Sequence, residues 1–351
     1  VLLLVCLRIN YHFWCALSPF FVILAAVMLV LVLIPALGVD QYGAQRWLRL
    51  GPLPPVQPSE FVKLGVILGL ATWLSGPGDR AKHFKTGMLP VLAFIIVFGF
   101  LIMKQPDMGT ALVMVLITLT MYFLAGADLV ALGSMVVAGF GAGMALIVAA
   151  GYRSERLQSF IDPWKDPSGL GFHIIQLLIA LGSGGLFGLG VGASRQKFFY
   201  VPGAHTDGIF AIIGEELGFV GCLAVILLFA GVVYRGARIM QDAPDRFGSL
   251  LAAGIVSWIA FQALINIGGI TRSIPLTGIP LPFISYGGSA LVAALAAAGL
   301  LVNVSRYATE TSPSSGAERP SAPASTCTGS FIALPVAASQ GGCHRLSACM
   351  P

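Results

Sequence analysis

The stretch YVPGAHTDGIFAIIGEELG, residues 200–218, places ionisable side chains between long apolar segments. They are His205, Asp207, Glu215 and Glu216. Asp, Glu, Lys and Arg make up only 10% of the chain, and ionisable groups close to membrane-spanning segments usually mark function. We therefore predict that His205, Asp207 and Glu215 line a cavity. The alternative is a solvated loop before a helix that Thr206 or Asp207 caps.

Composition indicates an all-α polytopic membrane protein. The chain has 351 residues, is 57% hydrophobic and has a mean hydropathy of +0.88, well above the range of soluble domains. Its apolar runs are continuous and long enough to span a bilayer, whereas a β-barrel requires alternation. The net charge of +5 suits basic loops facing anionic lipid, and no nucleic-acid-binding module is visible.

The apolar runs predict seven to eight membrane spans. They are expected at 17–37, 60–74, 88–103, 111–124, 129–150, 217–234, 250–270 and 284–302. A polar loop covers 38–59, and a large loop between the spans at 150 and 217 contains an apolar stretch at 174–189. The run at 1–7 resembles the end of a helix whose start is missing. Residues 308–351, rich in Ser, Pro, Ala and Gly, predict a disordered tail.

Basic residues predict the orientation. Short loops on one side carry Arg80, Lys82, Lys85, Arg235, Arg238, Arg246 and the C-terminal Arg306. The opposite loops are poorer in positive charge, so the first set is cytoplasmic, as is the tail. The loops at 38–59, 104–110, 151–216 and 271–285 then face outward.

Two polar segments open predicted helices. At 58–64, Ser59 is the expected N-cap, and Glu60 and Lys63 share a face and can pair. This pair either stabilises the helix start or lines an outer cavity. In the hairpin at 104–110, Asp107 is an expected helix cap and a candidate cavity carboxylate.

Other polar residues are candidates for ligand binding. Basic side chains of the large loop suit a phosphate or pyrophosphate, although exposed loop charges are an alternative. They are Arg153, Arg156, Arg195 and Lys197. Ser285 lies in the segment PLPFISYGGS (280–289), whose Pro and Gly residues predict unwound backbone lining a cavity. Gln262 and Asn266 are predicted to form interhelical hydrogen bonds.

Four motifs resemble those of the SEDS proteins (shape, elongation, division and sporulation). They are RLGPLPPVQPSEFVKL (49–64), KQPDMGTA (104–111), SRQKFFYVPGAHTDGIFAIIGEELGFVG (194–221) and TGIPLPFISYGGSALV (277–292). The resemblance spans roughly residues 8–307 in the family's order, and SRQK is more similar to the division branch. It implies a transmembrane domain at 1–307 that lacks the first one to two of the family's ten helices.

The resemblance also implies an activity. SEDS proteins are peptidoglycan glycosyltransferases that polymerise lipid II, the undecaprenyl-pyrophosphate-linked disaccharide peptide, outside the bacterial cytoplasmic membrane. They work with a class B penicillin-binding transpeptidase and, in the division branch, with other divisome proteins at the septum. Mg²⁺ or Mn²⁺, if used, would be shared with the pyrophosphate.

The family's functional residues fall on matching positions of this chain. Its essential acid falls on Asp207, the expected general base. The Glu and Lys of one motif fall on Glu60 and Lys63, and the Asp of another falls on Asp107. The chain departs from the family's usual residues in three places: Gly203 replaces Glu, Gly208 replaces Phe, and Ala290 replaces Ser.

Three alternatives to a division glycosyltransferase stay open. A lipid II flippase would use the same charged cavity but would need polar access from both sides. An elongation-type polymerase would differ in few residues. A non-enzymatic division scaffold would tolerate Asp207→Asn.

Overall fold

The computed structural model describes residues 1–41, 44–49, 51, 54–149, 158–165, 167, 169–196, 203 and 205–310. Within them the chain is mainly helical and forms a bundle. Its α-helices are α1 (Leu2–Arg8), α2 (Tyr11–Val32), α3 (Pro58–Leu74), α4 (Leu89–Lys104), α5 (Met108–Leu124), α6 (Leu129–Ala149), α7 (Leu170–Ser183), α8 (Ile209–Asp242), α9 (Arg246–Ile270) and α10 (Gly288–Glu310).

Helices α3 and α9 form the centre of the bundle. Helix α9 packs against α3, α5, α8 and α10, and 72% of its most apolar window is buried, compared with 11% in α8. By length and composition, five helical stretches of the described part can cross a membrane. They are α2, α8, α9, α10 and the stretch Phe84–Lys104, which contains α4. The chain is therefore a multi-pass membrane protein, and the number of seven to eight spans stays a prediction.

Short polar residues fix several helix starts. Asn10, Asp107 and Asp245 are the N-caps of α2, α5 and α9, and each side chain accepts a backbone N–H of the first turn. The predicted cap by Asp107 is thus confirmed. The predicted cap by Ser59 is wrong, because α3 begins at Pro58, a residue suited to the first helical position, after the N-cap Gln57.

The predicted all-α fold class is confirmed, with one addition at residues 38–48 that the sequence did not predict. There a two-stranded antiparallel sheet pairs β1 (Gly38–Gln41) with β2 (Ala44–Leu48), and Leu48 bridges to Val56. Val39 faces Trp47 across the sheet, and a β-branched residue opposite an aromatic one favours pairing. The segment predicted as a polar loop therefore contains a hairpin that precedes α3.

The large loop ends earlier than predicted. Helix α8 begins at Ile209, not near 217, so Glu215 lies inside a helix. The helix breaks at Gly218, where φ is 68° and a Cβ would lie 2.4 Å from the Gly188 nitrogen. The polar-to-apolar change near 217 therefore marks this break and not the start of the helix.

The glycine-rich segment after α7 closes the break. The N–H groups of Leu189 and Gly190 donate to the carbonyls of Glu215 and Glu216 at 2.9 and 3.0 Å. In return, Phe219 N–H donates to the Gly185 carbonyl at 2.9 Å. These bonds satisfy groups that the interrupted helix leaves open. The apolar stretch predicted at 174–189 is thus helix up to Ser183, followed by this segment.

Other helix ends shift by a few residues. Helix α2 ends at Val32 and not at 37, because a turn follows it. Helix α10 begins at Gly288 and not at 284, because 282–284 form a turn and Ser285 a bend. Residues 311–351 lie outside the described residues, so the disordered tail and the domain boundary near 307 stay predictions.

Candidate functional site

The ion pair of α3 is enclosed by protein. Lys63 Nζ donates to Glu60 Oε1 at 2.9 Å, and neither side chain is more than 1% exposed. The same Nζ donates to Gln262 Oε1 of α9 at 2.6 Å and lies 4.8 Å from the centroid of the Trp258 ring. These contacts replace water that the buried ammonium has lost. The predicted pairing of Glu60 with Lys63 is confirmed.

Asp207 lies in the turn before α8. Thr206 Oγ1 is 3.0 Å from the Gly203 carbonyl oxygen and 3.1 Å from Asp207 Oδ1, and the Gly208 N–H donates to the Gly203 carbonyl at 3.1 Å. The N-cap of α8 is Gly208, which makes no side-chain capping bond. The alternative in which Thr206 or Asp207 caps this helix is therefore wrong.

Gly203 leaves room for the Asp207 carboxylate. Its φ is +68°, and a Cβ at this position would lie 2.4 Å from Asp207 Oδ1. The other oxygen, Asp207 Oδ2, would lie 3.5 Å from a Cβ placed on Gly278. A side chain at position 203 would be strained at this positive φ and would displace the Asp207 carboxylate, so Gly203 suits the local geometry.

Asn266 of α9 holds the Asp207 turn to the segment before α10. Its Nδ2 donates to the Asp207 carbonyl at 2.9 Å and to the Ile279 carbonyl at 2.7 Å. The Tyr286 N–H donates to the His205 carbonyl at 2.8 Å, and the two rings are in edge contact at 5.7 Å. The interhelical bonds predicted for Asn266 are wrong, because both donors go to backbone outside the helices.

The segment before α10 also reaches the buried ion pair. Gln262 Nε2 donates to the Pro280 carbonyl at 2.9 Å, while its oxygen accepts from Lys63 of α3, so the interhelical bond predicted for Gln262 is confirmed. Ser285 Oγ accepts the Leu281 N–H at 2.7 Å. Ser285, Gln262 and Glu60 line one narrow pocket with room for about one water molecule.

Asp107 is buried at the start of α5. Its carboxylate accepts the Thr110 N–H at 3.1 Å and the Thr110 hydroxyl at 2.8 Å. A Cβ on Gly109 would lie 2.6 Å from the Ile279 side chain, so this helix start packs against the segment that Asn266 binds. Arg46 of β2 donates to the carbonyls of Gln105 and Pro106 in the turn before α5.

Glu215 binds residues 194–196, which follow the glycine-rich segment that closes the break in α8. It is 1% exposed and accepts the Ser194 hydroxyl at 2.5 Å and the Arg195 N–H at 2.9 Å. The Gln196 N–H lies 3.4 Å from both carboxylate oxygens. The Arg195 residue itself is exposed. Glu215 thus binds the protein's own backbone, and a direct role toward substrate stays a prediction.

The structure gives fewer contacts for the remaining predicted site residues. His205 is exposed in the Asp207 turn, whereas Arg156 and Lys197 lie outside the described residues. In the described part of the chain, no three His, Cys, Asp or Glu side chains converge to hold a metal ion. A Mg²⁺ or Mn²⁺ ion shared with pyrophosphate stays a prediction.

Sequence reasoning missed Trp258. Its Nε1 donates to Gln262 Oε1 at 2.6 Å, and its ring faces Lys63. Trp258, Gln262 and Asn266 are four residues apart in the sequence and lie on one face of α9. Three hydrogen-bonding side chains at intervals of four residues in an apolar span are a pattern from which Trp258 could have been predicted.

The chain is similar to known proteins over most of its length. The sequence family of FtsW, RodA and SpoVE, described as cell cycle proteins, matches residues 1–310. Stage V sporulation protein E of Bacillus subtilis is 47% identical over 304 residues, which cover 86% of this chain and 82% of that protein. A probable peptidoglycan glycosyltransferase FtsW of Trichlorobacter lovleyi is 43% identical over 303 residues, covering 86% and 79% of the two chains.

Two solved structures share the fold. A chain from a study of how a peptidoglycan synthase complex coordinates polymerization and crosslinking has a TM-score of 0.72 at 28% identity, covering 88% of this chain and 86% of that chain. The rod shape determining protein RodA of Thermus thermophilus has a TM-score of 0.63 at 27% identity, covering 87% and 83%.

Proposed function

Because the chain belongs to the family of FtsW, RodA and SpoVE, we propose that it is a peptidoglycan glycosyltransferase that polymerises lipid II during cell division. Relatives 43% and 39% identical bear the name probable peptidoglycan glycosyltransferase FtsW. The similarity to the sporulation protein and to RodA is consistent with one chemistry used at different stages of wall synthesis. We assign division because of the SRQK motif at 194–197.

The accessibility of Asp207 carries the proposal. Of the four predicted site carboxylates, Glu60, Asp107 and Glu215 are buried and already accept bonds from the protein. Asp207 is partly exposed, and within the described residues only the Thr206 hydroxyl, which also lies near the Gly203 carbonyl, is within hydrogen-bond distance of its carboxylate. A general base must reach the proton that it removes, and Asp207 is the site carboxylate free to do so.

The reaction is an inverting displacement. The 4-hydroxyl oxygen of the acceptor sugar attacks the anomeric carbon of the donor, and its proton passes to the Asp207 carboxylate. The bond between that carbon and undecaprenyl pyrophosphate breaks, and its electron pair leaves with the pyrophosphate. The α-linked donor becomes a β-linked sugar, which requires the base on the side opposite the leaving group.

The leaving group needs positive charge. Lys63 already binds Glu60 and Gln262, so it is poorly placed to meet a pyrophosphate directly. The exposed Arg195 is a better candidate, because the bonds from its segment to Glu215 fix the backbone beneath it. Arg156 and Lys197 join it in this proposal. The lipid tails stay in the bilayer beside the helices.

The site faces the outside of the bacterial cytoplasmic membrane in our proposal, and the C-terminus faces the cytoplasm. Two basic loops predicted to be cytoplasmic lie at one end of the bundle. The pKa of Asp79 is held below its ordinary value by Lys82 above all, and also by Arg246 from the other loop. We also propose a class B penicillin-binding transpeptidase and other divisome proteins as partners, at the septum. The similar chain from a peptidoglycan synthase complex supports this.

Polymerisation in detergent micelles tests the proposal. Micelles have no two sides, so a flippase yields no product there, whereas a polymerase builds glycan strands that gel electrophoresis resolves. Labelled lipid II should be polymerised by the full chain with its transpeptidase partner. Asp207→Asn should lower the initial rate by about 10²–10⁴-fold.

Asp162→Asn is the matched control, because it removes one carboxylate from the same large loop. It should polymerise at the wild-type rate. Equal rates for the two variants would reject Asp207 as the base. No strands from wild type, together with lipid II transport in vesicles, would replace the glycosyltransferase with a flippase. Neither product nor transport would favour the scaffold.

A further inference from the structure

We infer that Asn266 is a positioning residue for Asp207, an inference that rests on the proposed function. Asn266 is 4% exposed and lies in α9, the most buried of the long apolar helices. Polar residues in such helices usually join one helix to another. Here both side-chain N–H groups of Asn266 donate hydrogen bonds to backbone carbonyls of irregular segments. One of these segments carries Asp207.

The chemistry of the partners fixes the orientation of the amide. Both neighbours, the carbonyls of Asp207 and Ile279, can only accept hydrogen bonds. Turning the amide over would set its oxygen against two carbonyl oxygens, so the NH2 group must face them. Asn266 therefore uses its full donor capacity to hold these two backbone positions together.

This tether places the Asp207 turn against the segment before α10. Asp207 Oδ2 lies beside Gly278, the residue that precedes Ile279. A shift of the Ile279 carbonyl or of the Asp207 carbonyl would therefore change where the carboxylate sits relative to that segment. A displacement of about 1 Å at a reacting group is enough to lower a rate about 10²-fold.

Gln262 extends the tether to the buried ion pair. It lies one turn before Asn266 and binds the carbonyl of Pro280, the residue after Ile279. Its oxygen accepts from Lys63 of α3. One face of α9 therefore holds two consecutive carbonyls of the same segment, one linked to Asp207 and the other to Lys63.

The donor bonds distinguish Asn266 from an apolar residue at the same position. Within the described residues, the buried Oδ1 atom accepts no hydrogen bond. A buried amide with an unpaired oxygen is a costly way to join segments, and an apolar residue would avoid that cost. The two donor bonds to the Asp207 and Ile279 carbonyls are the contribution that offsets this cost.

Asn303 of α10 provides a matched control. It is 2% exposed, and its Nδ2 lies within 3.2 Å of the Cys6, Leu7 and Ile9 carbonyls near the start of α2. It is thus another buried Asn that binds backbone carbonyls, but those carbonyls belong to the junction of α1 and α2. The substitutions Asn266→Leu and Asn303→Leu remove the same donor group, and Asn303→Leu also removes the oxygen that accepts the Tyr11 N–H at 3.1 Å.

The test combines kinetics with hydrogen exchange on the full chain in detergent. For Asn266→Leu we expect kcat for lipid II polymerisation to fall about 10²-fold with KM near the wild-type value, because positioning is lost and substrate binding is not. Amide exchange should become faster in residues 205–210 and 277–282. Asn303→Leu should keep kcat and should exchange faster only around residues 5–12.

Several outcomes would overturn the inference. These are a wild-type kcat in Asn266→Leu, a lost kcat with unchanged exchange at 205–210, or the same loss of kcat in both variants. If the leucine variants do not fold, Asn266→Ala and Asn303→Ala, which remove the amide without adding volume or buried charge, replace them. Absence of polymerisation by wild type would reject the proposed function, and the exchange data would still decide whether Asn266 holds the turn.

Discussion

Two ion pairs of this protein share a sequence pattern and differ in their surroundings. Glu60–Lys63 and Asp79–Lys82 are each three residues apart, with nitrogen–oxygen distances of 2.9 and 2.7 Å. The first pair is at most 1% exposed, whereas the side chains of the second are 62% and 60% exposed. Water and salt compete with the exposed pair, so it contributes little to stability.

The buried pair depends on its whole environment. Lys63 has Gln262 and Trp258 as further partners, whereas Lys82 donates to Asp79 on the protein surface. A buried pair is not a strong source of stability, but removing one member leaves a charge without compensation. The comparison teaches that equal spacing and distance do not imply equal importance, since burial decides what each charge costs.

The largest effect is expected for Lys63→Met. This substitution leaves Glu60 buried beside Gln262 without a cation and should lower the free energy of unfolding by about 3–5 kcal/mol. The thermal unfolding midpoint of the detergent-solubilised chain measures it. Lys82→Met is the control with the same chemical change. Equal midpoints for the two variants would show that burial does not separate the pairs.

The double substitution Glu60→Gln with Lys63→Met should recover most of that loss. With both charges removed, no uncompensated charge is left inside the bundle, and replacing a complete buried pair is often neutral. The same midpoint measurement should place the double variant within about 1 kcal/mol of wild type. A double variant as unstable as Lys63→Met would mean that packing, and not charge, accounts for the single variant.

Gln262→Leu should have an intermediate effect. It removes the oxygen that accepts from Lys63 and Trp258, and the unpaired donors should cost about 1–3 kcal/mol. Unfolding midpoints of this variant and of Gln158→Leu, which changes an exposed glutamine, provide the comparison. A midpoint unchanged by Gln262→Leu would show that the α9 partners are dispensable to the buried lysine.

The smallest effect is expected for Lys82→Met itself. Hydrogen bonding and charge from Lys82 hold the pKa of Asp79 below its ordinary value. The contribution is therefore present above the ordinary pKa and is lost as the pH falls through the lowered one. Because the pair is exposed, the midpoint near pH 7 should not change measurably. A clearly lower unfolding midpoint of Lys82→Met near pH 7, with no difference from wild type in strong acid, would contradict this account.

Sequence patterns predicted much of what the structure contains. Helical spacing indicated the pair Glu60–Lys63, and turn chemistry indicated the Asp107 cap, because both depend on neighbours in the sequence. The family motifs indicated the fold and the family. The exposure that distinguishes this pair from Asp79–Lys82 was not predictable, because it depends on helices distant in the sequence.

The remaining differences have the same origin. The break in α8 at Gly218 is closed by backbone of residues 185–190, which no local pattern in α8 reveals. Asn266 was expected to bind another helix, yet its partners are the carbonyls of Asp207 and Ile279. Such contacts are set by where irregular backbone passes a helix, and the sequence does not encode that in its periodicity.

Polymerisation by the double variant Glu60→Gln/Lys63→Met tests most directly whether the link from the buried pair through Gln262 to the segment before α10 serves the site as well as the fold. Its initial rate of glycan synthesis from lipid II is measured on the preparation whose unfolding midpoint is known. We predict a folded protein that makes strands at least about 10²-fold more slowly than wild type, because the pair links through Gln262 to the segment facing Asp207. A folded double variant that polymerises at the wild-type rate would contradict the account.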